Sequence, residues 1–191
     1  MNPISKFEEW YKEELFKSSV QIPSACCLST IGLDGYPNAR FVSLKAVYEG
    51  NFIITGPTNS SKGLELKAIP KASLTFWWTE TERQVRIQGD VEPLEADIAG
   101  RFFEERNFDS KVVSVVSEQS SPVSDTNQLI EQFNSKREEL KGTEVPVPEH
   151  WGGFKINPLK IEFLEFSESR FHDRTLFTMD SQNWVIKKLQ P

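Results

Sequence analysis

The sequence predicts an antiparallel α+β fold, mainly β, and three observations lead there. Short β-prone segments follow one another through tight turns, helical periodicity is confined to the ends and one insertion, and no strand–helix–strand alternation runs along the chain. The glycine fingerprint of a dinucleotide-binding parallel sheet, the P-loop and the HExxH metal motif do not occur. A nucleotide cofactor, if one is bound, is therefore not held by a parallel sheet.

Residues 4–17 read as an amphipathic helix, with Ile4, Phe7, Trp10, Tyr11 and Leu15 at three- and four-residue steps. Pro23 breaks the pattern. Residues 25–31 are apolar and β-prone, and Leu33-Asp34-Gly35 supplies a turn. Residues 40–47 alternate as a strand, Glu49-Gly50-Asn51 turns the chain, and residues 52–55 form a third strand. The 56–61 stretch is a loop by composition, and 62–68 a short helix. Residues 72–78 and 83–89 pair as a hairpin, and 95–106 are helical with Ile98, Phe102 and Phe103 inward. Ser124 or Asp125 opens a further helix, Gln128 completes a capping box, and Leu129, Ile130 and Phe133 share one face. After the stiff Glu144-Val145-Pro146-Val147-Pro148 connector come strands near 160–166 and 174–186.

The bulk numbers suit one domain. A chain of 191 residues buries roughly 70% of its unfolded surface, so it needs no metal or disulfide to fold. A net charge of −6 lacks the basic excess of a nucleic-acid binder, so an anion site must be gathered locally. No apolar run is long enough to cross a bilayer, and residues 1–6 lack the apolar core of a signal peptide. Cys26 and Cys27 are neighbours that point to opposite strand faces, and with the distant His150 and His172 they do not make a zinc site. They read as buried or half-buried thiols in a reducing, cytoplasmic setting, with no membrane, nucleic-acid or metal partner.

Four clusters could carry chemistry. In the strand over 40–47, alternation places Arg40, Val42 and Leu44 on one face and Phe41, Ser43 and Lys45 on the other. Its two cations need anionic partners if buried, and are plain solvated charges if not. Ser60-Ser61-Lys62-Gly63 joins hydroxyls, a lysine and a helix start, which suits a phosphate but equally an ordinary serine N-cap. Ser117-Glu118-Gln119-Ser120-Ser121-Pro122 is a polar loop after the apolar 112–116 stretch. Arg170-Phe171-His172-Asp173-Arg174, read as a strand, puts Arg170, His172 and Arg174 on one face. Such like charges repel unless an anion sits among them.

In their order and spacing, these stretches resemble the pyridoxamine 5'-phosphate oxidase family over nearly the whole chain. They are joined in this by Glu82-Arg83-Gln84-Val85-Arg86, Phe102-Phe103-Glu104-Glu105-Arg106, Glu144-Val145-Pro146, Trp151-Gly152-Gly153-Phe154 and Leu189-Gln190-Pro191. The 55–62 loop is slightly longer than the family pattern.

The resemblance implies an FMN-binding split β-barrel, an antiparallel Greek-key barrel with peripheral helices, as one domain over 1–191 with a dimerisation region at about 145–191. It implies a homodimer with FMN at the subunit interface. The implied cofactor contacts are Arg40, Phe41, Val42, Ser43, Leu44, Lys45, Thr55, Ser60, Ser61, Lys62, Gln84, Gln119, Ser120, Leu164 and Arg174. Arg40 and Lys62 would take the FMN phosphate, and Gln84 and Arg174 would approach the flavin ring. Lys45, Phe102, Arg106 and Ser110 would hold the phosphate of a phosphorylated B6 vitamer, and Arg170 and His172 would bracket its pyridine ring as the catalytic pair. The implied reaction oxidises pyridoxamine or pyridoxine 5'-phosphate to pyridoxal 5'-phosphate, with O₂ giving H₂O₂.

Four departures from the family pattern fall at the ligand sites. Ser61 stands where many members have arginine, Phe102 where they have tyrosine, and Leu164 where they have a flavin-packing tryptophan. The sequence also starts after the N-terminal arm that covers the substrate in longer members. Two alternatives follow: a related FMN oxidase of another substrate, as in phenazine pathways, or a non-catalytic binder of FMN or pyridoxal phosphate.

Overall fold

A computed structural model describes residues 2–191. The elements run α1 (Pro3–Lys17), β1 (Ala25–Ile31), β2 (Pro37–Ser43), β3 (Ala46–Tyr48), β4 (Asn51–Pro57), α2 (Ser61–Ala68), β5 (Lys71–Trp78), β6 (Arg83–Pro93), α3 (Ala96–Glu104), α4 (Phe108–Val116), α5 (Thr126–Glu139), β7 (Trp151–Glu165), β8 (Asp173–Asp180) and β9 (Asn183–Leu189). All nine strands lie in one sheet, ordered β2-β1-β5-β6-β7-β4-β3, with β8 added to β7 and β9 to β8. Every pairing is antiparallel.

The long strands β6 and β7 hold the sheet together and bend it. Their register shifts between Gln88 and Gly89, and such a bulge kinks and twists a strand. Gly89 is required there, because a Cβ would lie 2.1 Å from the Asn157 carbonyl oxygen. The sheet curls as a split barrel around one aromatic-rich core. Paired residues point to the same face of a sheet, so the row Leu28, Leu74, Ile87, Ile161, Phe177 lines the inside. Helix α1 plugs the curl. Its first turn is capped by the Asn2 side chain, which accepts from the Ile4 N–H at 2.9 Å. Its Phe7 ring meets Phe52 and Phe76 edge-on at 4.9 and 5.1 Å.

Several details differ from the sequence-based expectation. The α1 stripe is Pro3, Phe7, Trp10 and Glu14 rather than one ending at Leu15, which is exposed. Glu14 is tolerated inside because the Thr81 hydroxyl donates to it at 2.9 Å. The strand expected over 40–47 breaks at Leu44-Lys45. There the backbone turns to donate from Leu44 to Ser24 and from Lys45 to Ile53. Residues 112–116, read as an apolar stretch, belong to α4, which starts at Phe108 and is capped by Asn107. In α5 the cap is Asp125, and Leu129 and Phe133 are half-buried while Ile130 is exposed. Strand β7 begins nine residues earlier than 160, and 174–186 is the hairpin β8–β9, turned at Ser181-Gln182 in left-handed backbone conformations. The two cysteines behave as expected: Cys26 is buried, its thiol pushed up to about 12 mainly by burial, and Cys27 is half-buried, with no disulfide.

Candidate active site

A polar cleft of about 480 Å³ lies where β2, β4, α2, α4 and the 117–120 loop converge, a size suited to a small ligand. Arg40, Phe41, Val42, Ser43, Lys45, Thr55, Ser61, Lys62, Arg106, Gln119 and Ser120 all line it, joined by Gly56, Pro57, Val113, Ser114, Ser117 and Trp151. Four cations thus meet in a lining that contains no aspartate or glutamate.

Three of the four cations are oriented by their own supports. Arg40 lies on β2. Its Nη2 donates to Glu65 at 2.7 Å and its Nη1 donates to the Thr30 hydroxyl. Lys62 begins α2, and its Nζ donates to Ser60 at 3.1 Å and to the Gln119 side-chain carbonyl. Helix α2 can sit this close to the 56–60 loop because residue 63 is glycine: a Cβ there would be 2.4 Å from the Thr58 carbonyl oxygen. Arg106 follows α3, donates to the Ser114 hydroxyl at 2.6 Å, and lies 4.4 Å from the centre of the Trp151 ring. The Trp151 indole is itself fixed by donating to the Ala99 carbonyl at 2.9 Å.

The electrostatics sort these four cations into two pairs. Burial pushes the Lys62 ammonium down to about 8, with Arg40 as the neighbouring charge that adds to the effect. Burial also lowers Lys45, and there the repelling neighbour is Arg106, partly offset by Glu105. Burial lowers Arg106 as well. Two positions for anions result, one beside Arg40 and Lys62 and one beside Lys45 and Arg106. A further sign of a ligand is the Thr55 hydroxyl, buried on the cleft wall with no hydrogen-bond partner. Leaving such a group unpaired costs about 1–3 kcal/mol unless something bonds it. These features fit a phosphorylated cofactor with polar ring edges.

The remaining sequence-predicted residues lie elsewhere. Ser60 is buried just behind the lining, its hydroxyl donating to the Pro57 carbonyl at 2.7 Å. Leu44 packs into the core on the same side as Arg40, whose register partner is the core residue Leu28, and it does not line the cleft. Phe102 packs against Ile53, Leu94 and Ala99. Ser110 contributes its backbone to the α4 cap. Arg170 and His172 do not share a strand face with Arg174, since β8 begins only at Asp173. Arg170 instead occupies a turn with a φ of 66°, its N–H donating to Ser167. His172 accepts from the Ser167 N–H at 3.0 Å through Nδ1 and meets the Phe166 ring edge-on at 5.1 Å.

Gln84, Leu164 and Arg174 form a row across β6, β7 and β8. The row continues to Trp77 on β5, and two residues along it runs the row Phe41, Cys27, Thr75, Arg86, Glu162. All lie on the outer face of the sheet, which therefore joins one wall of the cleft, at Phe41, to the expected flavin-ring contacts. This face is apolar where it is most open: Phe41 is 79% and Trp77 62% exposed.

Sequence reasoning did not single out Glu65, Thr30, Asn38, Ser114 or Glu162. Glu162 is buried and grips Arg174 at 2.7 Å and Arg86 at 3.4 Å. None of these residues has a motif, and only the sheet register and the α2 packing bring them to the cations. Trp151 did belong to a family-like stretch, but nothing in that stretch marks it as a platform for an arginine.

A family model for pyridoxamine 5'-phosphate oxidase matches residues 13–133, and one for the pyridoxine 5'-phosphate oxidase C-terminal dimerisation region matches 151–191. The chain is 39% identical over 193 aligned positions to a pyridoxine/pyridoxamine 5'-phosphate oxidase of Burkholderia lata, and 36% identical over 190 to one of a Cyanothece species. In both cases the match covers 100% of this chain and 89% of the relative. Among solved structures, PhzG from Burkholderia lata, in complex with tetrahydrophenazine-1-carboxylic acid, superposes with a TM-score of 0.93 at 27% identity, covering 100% of this chain and 93% of that one. An FMN-binding, pyridoxamine 5'-phosphate oxidase-related protein of Nostoc punctiforme shares the fold, with a TM-score of 0.79 at 14% identity and 97% of each chain covered. The split barrel is thus that of the pyridoxamine 5'-phosphate oxidase-like fold. The chain belongs to the pyridoxamine 5'-phosphate oxidase family.

Proposed function

We propose that two copies of this chain form a homodimer that binds FMN in each cleft and oxidises pyridoxamine or pyridoxine 5'-phosphate to pyridoxal 5'-phosphate, with O₂ as acceptor and H₂O₂ as by-product. The observation that carries this reading is the sorting of four cations into two pairs in one acid-free cleft. A phosphorylated cofactor beside a phosphorylated substrate needs such a pair of anion positions.

On this reading Arg40, Lys62 and the 60–61 loop hold the FMN phosphate. Thr55, Gln119 and Ser120 bond the rest of the cofactor. FMN held there would supply two-electron redox chemistry between the substrate C4′ carbon and O₂. Lys45 and Arg106 hold the substrate phosphate. A charged hydrogen bond contributes about 1.5–3 kcal/mol, so this pair sets both affinity and the position of C4′. Gln84, Leu164 and Arg174 reach the flavin from the second copy, whose outer sheet face covers the cleft. Arg170 and His172 come with them, bracket the pyridine ring and assist removal of the amine or hydroxyl proton.

A second reading is favoured by the similarity to PhzG. The Lys45–Arg106 pair would bind a carboxylate as readily as a phosphate, and Phe102 brings no hydroxyl to the phosphate position. That reading makes the chain an FMN oxidase of another acidic substrate. The test is to reconstitute the protein with FMN and offer pyridoxamine phosphate, pyridoxine phosphate and tetrahydrophenazine-1-carboxylic acid in turn, following aldehyde and peroxide together. Aldehyde and peroxide in equal amounts from the B6 phosphates support the first reading. Peroxide from the phenazine acid alone selects the second, and FMN binding without turnover of any of them leaves a non-catalytic binder.

A further inference from the structure

Behind the cleft wall, Glu65 of α2 and Thr30 of β1 converge on Arg40, and Asn38 of β2 braces Glu65. Glu65 stands one turn after Ser61 on α2 and is 4% exposed. Its Oε2 accepts from the Arg40 Nη2 at 2.7 Å and from the Thr30 hydroxyl at 2.5 Å, and its Oε1 accepts from Asn38 Nδ2 at 2.7 Å. Thr30 also accepts from the Arg40 Nη1. Two of the three guanidinium nitrogens are thus tied to buried side chains.

A buried ion pair is weak evidence for stability, since an apolar set of the same volume often serves a fold as well. What the polar set adds is direction. A guanidinium free to rotate must be ordered when an anion binds, whereas one clamped at both outer nitrogens presents a fixed plane. Burial alone would raise the Glu65 carboxyl, but hydrogen bonds from Thr30, Asn38 and Arg40, with the Arg40 charge, outweigh it and hold the group below the usual carboxylate range. The clamp therefore stays charged at neutral pH.

We propose that Glu65, braced by Asn38 and joined by Thr30, is a positioning device that fixes the Arg40 guanidinium in the plane required by the cofactor phosphate. It rests on the reading of Arg40 as a flavin-phosphate ligand. The device acts through geometry and not through charge, so charge-conserving substitutions expose it. Glu65→Asp keeps the carboxylate but withdraws it by one methylene. Thr30→Val keeps the shape and removes the shared hydroxyl. Arg40→Lys keeps the cation and removes the fork.

The experiment titrates the apoprotein with FMN and with riboflavin, which lacks the phosphate, by flavin fluorescence. Glu65→Asp is expected to weaken FMN about tenfold, the scale of one charge-assisted hydrogen bond, and Thr30→Val several-fold. Riboflavin is expected to bind each variant as it binds the parent, however weak that is. In an Arg40→Lys background, Glu65→Asp is expected to change FMN affinity by less than about twofold, as coupled residues do. Unchanged FMN affinity in both single variants overturns the inference, as does equal loss of FMN and riboflavin or a full Glu65→Asp effect without Arg40. Failure of the unmodified protein to take up FMN overturns the functional reading itself and is seen before any variant is made.

Discussion

The cleft and the 167–172 turn are organised in opposite ways. In the cleft, Arg40 is held by Glu65 and Thr30, Lys62 by Ser60 and Gln119, and Arg106 by Ser114 and the Trp151 ring. In the turn, Arg170 is exposed, Phe171 is 79% exposed, and His172 touches only Ser167 and Phe166 among the contacts that orient it. The anion-holding half of the site is ordered before any ligand arrives. In the half expected to act on the substrate ring, Arg170 takes a left-handed conformation that non-glycine residues rarely adopt, and the Arg170 and Phe171 side chains stand exposed. Such an arrangement makes sense if a second chain supplies the missing surroundings.

If that division is right, the two halves fail differently when mutated. Arg170→Ala is expected to lower kcat by roughly a hundredfold or more, the scale of a lost general acid–base or orienting contact, with FMN occupancy unchanged. Loss of flavin in step with turnover would place Arg170 in cofactor binding. Arg106→Ala is expected to raise KM for the phosphorylated substrate by about 10–100-fold, again with FMN retained, because it removes one charged contact that exists before and during the reaction. A kcat loss with unchanged KM would contradict its role as a phosphate holder.

Lys62 gives a pH signature that no arginine can. In the free protein it is charged below about 8 and neutral above, whereas the FMN phosphate stays fully ionised throughout that range. FMN affinity is therefore expected to weaken as pH rises through about 8, and Lys62→Arg should flatten the curve. Stability of the flavin-free protein moves the other way. The unfolded lysine keeps its proton up to its ordinary 10.5 and the folded one releases it from about 8. Folding thus gains from this group as pH rises between those values. The smallest change expected comes from Ser61→Arg, which places a guanidinium at the exposed lip of the cleft. A gain of a few-fold in FMN affinity is expected, limited by solvent screening, and no gain would show that the lip does not face the phosphate.

What the sequence made legible follows the same division. Strand alternation in 25–31 and 72–89 and the periodicity of 4–17 were readable because each element buries one regular face. The break at Leu44-Lys45 was not, because it depends on backbone bonds to Ser24 and Ile53, which are distant in sequence. Helix α4 was hidden by its β-branched valines, whose helical state is set by the Asn107 cap and by packing of Val112 with Phe103 and Val145. The resemblance named Arg40, Lys45, Lys62 and Arg106 and assigned them to the same two pairs, but the single acid-free cleft that gathers all four became visible only in the fold. Glu65 could not be named at all, since a glutamate on a short helix looks like any surface charge until β1 and β2 are folded against it.

The account stands on the claim that one catalytic site draws on two chains, and mixed dimers address it most directly. Assayed well below the KM of the unmodified protein, the Arg106→Ala and Arg170→Ala homodimers each turn over slowly on this account. Joined as a two-tag hybrid, they leave one site with both substitutions and one with neither, so turnover should return to about half that of the unmodified dimer. A purified hybrid as inactive as its parents would place Arg106 and Arg170 in the same chain's site.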